Sequence, residues 1–102
     1  MDVPERRKYP RYGFQTDAEI EWGSTTFRAL VTDLSEAGMF IVATNPLWVG
    51  AMFSARLLLD QPVGIECAVR RVLPGKGMGV EFIKLSDEAR ARLQKLLGQL
   101  TS

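Results

Sequence analysis

From Phe14 to Trp22 apolar or small residues alternate with polar ones at every step: Phe14, Thr16, Ala18, Ile20 and Trp22 against Gln15, Asp17, Glu19 and Glu21. A period of two marks a strand with one face buried. Gly23-Ser24 supplies a turn, and Thr25–Asp33 is a second extended stretch with Phe27, Ala29 and Val31 in alternation. Ser35-Glu36-Ala37-Gly38 breaks it, and a short strand follows over Met39–Val42, up to Asn45-Pro46. After a loop around Gly50, the pattern predicts strands over Phe53–Leu59, Val63–Leu73 and Met78–Ile83. Asp60-Gln61-Pro62 and Pro74-Gly75-Lys76-Gly77 separate them. About six strands joined mostly by hairpin-length turns predict an antiparallel barrel or sandwich.

The period changes after residue 85. Ser86 is a suitable N-cap, and Asp87 and Glu88 occupy the first turn, where the helix dipole favours anions. Ala89, Leu93, Leu96, Leu97 and Leu100 then fall on one face of a helix over 86–100. That face either covers an open end or flank of the sheet or packs against a second copy, so monomer and homodimer are both admitted.

With 102 residues there is room for one domain spanning 1–102. A chain of that size hides roughly two thirds of its unfolded surface, enough for a core but not for a large internal cavity. Any ligand site is therefore expected on a surface or under an arm. The chain has no histidine and a single cysteine, Cys67, which excludes an internal disulfide and removes the commonest general base and metal ligand. No carboxylate pair or nucleophile–base arrangement stands out, so the expectation is a non-enzyme without metal or cofactor. A charged N-terminus in place of an apolar leader, no membrane-length apolar run and the lone cysteine together predict a cytoplasmic, non-membrane protein.

Net charge is only +1, but its distribution is uneven. Residues 5–12 carry Arg6, Arg7, Lys8 and Arg11 against Glu5, four cations less one anion, or +3. Such a run is ordinarily a solvated tail. Here Pro10 opposes helix at Tyr9, so the arginines sit on an extended segment that could wrap a flat anion from two directions. Guanidinium groups fork onto phosphate oxygens and onto the O6/N7 edge of guanine, and their flat faces stack on bases. The second cluster is Asp33-Leu34-Ser35-Glu36-Ala37-Gly38 at a strand end. Its residue types are turn formers in their own right. A carboxylate at Asp33 can also accept from the N1 and N2 hydrogens of guanine, the Ser35 hydroxyl can donate or tie the turn, and Gly38 admits a positive φ or a close backbone approach.

Taken together, Arg7-x-x-x-Arg11 ahead of the first strand and Asp33-x-Ser35-x-x-Gly38 after the second resemble the two-part signature of PilZ domains. Gly77-Met78-Gly79-Val80-Glu81-Phe82 is similar to the Gly-x-Gly-Val-x-Phe strand that often closes their barrel. The resemblance implies an all-β domain with a C-terminal helix: a six-stranded antiparallel barrel over 13–83, a mobile strap over 1–12 and the helix over 86–100. It implies a bacterial receptor for the second messenger cyclic di-GMP, with Arg7 and Arg11 on phosphate and guanine, Asp33 and Ser35 on a guanine edge, and Gly38 shaping the turn. Arg6 is an additional guanidinium that could stack on a second, intercalated nucleotide, which would give two ligands per site.

The implied output is a strap that orders on the ligand and alters contacts with an unidentified effector protein. Two alternatives stand beside it. One is a small barrel that binds nucleic acid, but Asp17, Glu19 and Glu21 make the first strand's polar face anionic where a cationic groove is needed. The other is a PilZ-like adaptor that binds no nucleotide; such members usually lack the arginines or the turn motif. Arg70 and Arg71 are expected on a strand with one facing away from the core, where either could reach the ligand although a solvated strand face is the ordinary role. Gly75-Lys76-Gly77 is a hairpin turn rather than a phosphate loop, and Trp22 and Trp48 are core or rim packing residues.

Overall fold

The computed structural model describes residues 12–101. Six strands run in chain order: β1 (Tyr12–Trp22), β2 (Thr25–Leu34), β3 (Gly38–Val42), β4 (Met52–Leu57), β5 (Val63–Leu73) and β6 (Gly77–Lys84), followed by helix α1 (Asp87–Thr101). Neighbours pair antiparallel in the order β1-β2-β3-β6-β5-β4. β4 pairs back onto β1, with Ala18 opposite Leu57 and Glu21 opposite Ser54, so the sheet closes into a barrel without free edges. Of the two architectures that the strand pattern admits, the barrel is the one formed.

Alternation does the positioning. Ala18, Ile20, Val31, Met39, Ile41, Leu57, Val63, Cys67 and Val69 are fully excluded from solvent and fill the barrel. Glu19, Glu21 and Glu66 stand on the outer face between them. β4 ends two residues earlier than the apolar pattern predicts, at Leu57, the last residue in register with β5, opposite Val63. Gly75 has φ +74°, and the Lys76 amide donates to the Leu73 carbonyl (2.9 Å), so Pro74–Lys76 is the expected hairpin turn.

The helix starts as its sequence predicts. Ser86 Oγ accepts from the Ala89 amide (3.0 Å), a side-chain N-cap, and Asp87 and Glu88 lie in the first turn. Ala89, Leu93 and Leu97 are buried in the barrel's own core cluster. Of the two roles open to this apolar face, it is therefore the covering role that these residues fill. Arg92 Nη1 donates to the Pro62 carbonyl (2.8 Å) and Gln94 Nε2 to Glu36 Oε1 (3.5 Å), which ties the helix to the β4–β5 and β2–β3 connections. Those two connections and the start of β1 lie at the same end of an antiparallel barrel, so the helix covers that end. Among the described residues no helix is long and apolar enough to cross a membrane.

Candidate ligand-binding site

Strict alternation from Val31 would send Asp33 into the core and Leu34 outward. The reverse is observed: Leu34 is fully buried and Asp33 is half-exposed. The cause is a bulge. On β3, Ile41 pairs with Val31 but the next residue, Phe40, pairs with Asp33, so Thr32 is an extra residue in the ladder. One extra residue inverts the phase of everything after it. Leu34 then packs with Met39 inside, and Asp33 turns to the outer surface beside Phe40.

The turn that follows is held by Ser35. Its Oγ accepts from the amides of Ala37 (3.1 Å) and Gly38 (3.1 Å) and donates to the Gly38 carbonyl (3.2 Å). The Ser35 amide also donates to that carbonyl (2.9 Å). A hydroxyl has one donor and two acceptor positions, and all three are used within the turn. Ser35 is only 4% exposed. Of the two uses that its chemistry allows, tying the turn is the one seen. Gly38 does not have a positive φ. Its need for glycine is the close approach, since a Cβ there would stand 2.2 Å from the Val80 carbonyl oxygen.

On the other flank of Asp33 is Gly13, its Cα partner on β1, where an added Cβ would meet nothing within 4 Å. Tyr12, the first described residue, pairs with Leu34. The chain therefore enters β1 beside the Asp33 turn. Arg6, Arg7 and Arg11, together with most of the expected strap over 1–12, lie outside the described residues.

Arg70 and Arg71 lie on β5, as expected, and both rather than one face away from the core. A second bulge, between Val69 and Arg71 in the β5–β6 ladder, makes Arg70 the extra residue, and both arginines face solvent. The signal was available at both places. Val31-Thr32-Asp33-Leu34 and Val69-Arg70-Arg71-Val72 each set two polar residues between apolar ones three apart, which period two cannot accommodate.

The opposite wall of the barrel is unsuited to an anion. A groove of about 490 Å³ on the outer face of β1, β4 and β5 is lined by Glu19, Glu21 and Glu66 against the single cation Arg56. Arg56 is itself paired with Glu19, and Ser54 Oγ donates to the Glu66 carboxylate (2.9 Å). Among the described residues no group of three or more acidic, cysteine or histidine side chains could hold a metal ion. Burial pushes the Cys67 thiol up to about 12, with Glu66 adding to it, so it stays protonated and unreactive.

A family model described as PilZ domain matches residues 5–99, nearly the whole chain. The chain belongs to the PilZ domain family. Solved structures agree on the PilZ barrel. The PilZ domain of YcgR from Escherichia coli, solved with c-di-GMP, is 19% identical with a TM-score of 0.74, over 95% of this chain and 92% of that one. The MrkH–c-di-GMP complex from K. pneumonia is 18% identical with a TM-score of 0.81, over 97% of this chain and 53% of that one. The Bacillus subtilis inhibitor of motility MotI/DgrA is 21% identical with a TM-score of 0.78, over 96% and 53%. This PilZ chain thus spans about half the length of MrkH and MotI/DgrA. No curated protein matches it.

Proposed function

We propose that this PilZ domain is a non-catalytic receptor for cyclic di-GMP. The ligand seats on the outer face at Asp33, beneath the segment that carries Arg6, Arg7 and Arg11. The observation that carries the reading is the bulge at Thr32, which turns a carboxylate out of the core at the place where the chain enters β1. Asp33 then accepts from the N1 and N2 hydrogens of a guanine, Arg7 and Arg11 supply guanidinium groups to phosphate and base, and Ser35 and Gly38 hold the turn in shape. The acidic groove across the barrel disfavours a dianion on that wall, in keeping with a ligand on this face. The complexes of the YcgR PilZ domain and of MrkH with c-di-GMP support the ligand's identity.

Binding orders the N-terminal arm over the ligand, and the changed surface is presented to an effector protein in the cytoplasm. Arg6 stacks on a second ligand molecule, giving two per chain. Calorimetry tests the reading. A charge-assisted hydrogen bond contributes about 1.5–3 kcal/mol, so Arg7→Ala is expected to weaken cyclic di-GMP binding by roughly 10- to 150-fold. Cyclic di-AMP, which lacks the N1/N2 donor pair, should not bind measurably. Equal affinity for the two dinucleotides, or an Arg7→Ala variant that matches wild type, would rule the assignment out. A stoichiometry near one would remove the stacked pair alone.

A further inference from the structure

The two bulges together build something that neither shows alone. The one at Thr32 puts Asp33 on the outer face in register with Phe40, and β3 places Phe40 in register with Gly79 of β6. The one at Arg70 puts Gly79 in register with Arg71 of β5. Paired residues share a face, so Asp33, Phe40, Gly79 and Arg71 form one row across four strands of the outer surface.

The middle of that row is flat. The Phe40 ring lies over β6 at Gly77, where a Cβ would come within 2.7 Å of it, and the ring remains half-exposed. Gly79 has no side chain, and a Cβ built on it would touch only Arg71, at 3.8 Å from its Cβ. The ends of the row are opposite in charge and in hydrogen-bonding sense. Three strand spacings of about 4.8 Å separate their backbones, roughly 14 Å in all. A short aspartate and a long arginine reaching toward each other across that span leave a gap on the scale of one purine. Of the two arginines at the far end, Arg70 is committed, its Nε donating to Glu81 Oε1 at 2.6 Å. Arg71 makes no hydrogen bond or ion pair among the described residues and is exposed.

Resting on the receptor reading above, we infer that Arg71 is a base-reading residue: one guanine lies flat over Phe40 and Gly79 with its N1/N2 donor edge on Asp33, and Arg71 forks onto its O6/N7 acceptor edge. Guanine presents donors on one edge and two acceptors on another, and the row offers a carboxylate and a guanidinium in the matching places. Adenine fails at both: it has no N1 hydrogen for Asp33, and its six-position amine would face a guanidinium. The row therefore fixes which base is accepted at this position.

The test is a calorimetric cycle with cyclic di-GMP and its 7-deazaguanine analogue, which replaces N7 by a C–H group. Arg71→Ala is expected to weaken cyclic di-GMP binding roughly 5- to 150-fold. The penalty for the analogue should be several-fold smaller in Arg71→Ala than in wild type, because the group that senses N7 is gone. Arg71→Lys, which keeps the charge and stem without the fork, should behave like the alanine variant and covers the case in which Arg71→Ala fails to fold. Arg70→Ala should stay within about threefold of wild type, as expected of an exposed pair. If wild type binds cyclic di-GMP while Arg71→Ala binds it equally well, or loses as much to the analogue as wild type does, the base-reading role is overturned and the receptor reading stands. If wild type binds no cyclic di-GMP, both fall.

Discussion

At Gly38 one missing methyl group decides whether β3 can lie against β6. Side chains of any size would press on the Val80 carbonyl, and overpacking of that kind costs about 1–3 kcal/mol or more. The glycine was legible in the sequence as part of a motif, but its reason was not, because turn flexibility and close approach select the same residue. Ser35 shows the same ambiguity, settled by three hydrogen bonds that consume its hydroxyl. Cys67 gives a residue-scale prediction. Its thiol ionises near 9.0 when exposed and near 12 in the folded domain. Below pH 9 both states hold the proton and stability is unaffected. Above it the unfolded chain ionises first, so folding free energy drops as pH climbs toward 12, at up to about 1.4 kcal/mol per pH unit. Denaturant unfolding at pH 8, 9 and 10 should show the wild-type advantage over Cys67→Ala shrinking with pH. A constant difference would contradict the shift.

Whole elements followed the hydrophobic pattern closely. Strand phase was readable wherever alternation ran unbroken, as from Phe14 to Trp22, and the helix was readable from Ser86 and its apolar face. The adjacent polar residues Thr32-Asp33 and Arg70-Arg71 signal an extra residue, but the register that places it lies on the partner strand, since a bulge is two residues opposite one. Without it, Asp33 falls on the face of Val31, inside the barrel. Thr32 thus corrects the strand phase although it carries no ligand chemistry. Deleting Thr32 removes the extra residue, so Val31, Asp33 and Leu34 alternate regularly opposite Ile41, Phe40 and Met39, with Asp33 still outward and Leu34 still inward. The expected result is cyclic di-GMP binding within about tenfold of wild type. A deletion variant that loses binding entirely would contradict strand phase as what turns the carboxylate out.

On the scale of the molecule, antiparallel closure gathers the functional parts at one end. The entry to β1, the Ser35–Gly38 turn and the covering helix are neighbours there, and Gln94 touches Glu36 of the turn. A ligand at Asp33 is thus next to surfaces that an effector could read, while the acidic wall of β1, β4 and β5 lies across the barrel. The strand count admitted a barrel or a sandwich, and the resemblance implied the barrel. The juxtaposition of β1's start with β2's end follows from their hairpin, but the acidic groove required the β4–β1 pairing, which no local pattern reveals. Backbone amide exchange with and without cyclic di-GMP examines the arrangement as a unit. Protection should rise on ligand in residues 1–12 and across Asp33–Phe40, with the remaining strands nearly unchanged. Unchanged protection in both segments, or a gain confined to the β1–β4–β5 wall, would contradict a dinucleotide held between the arginine arm and the Asp33 turn.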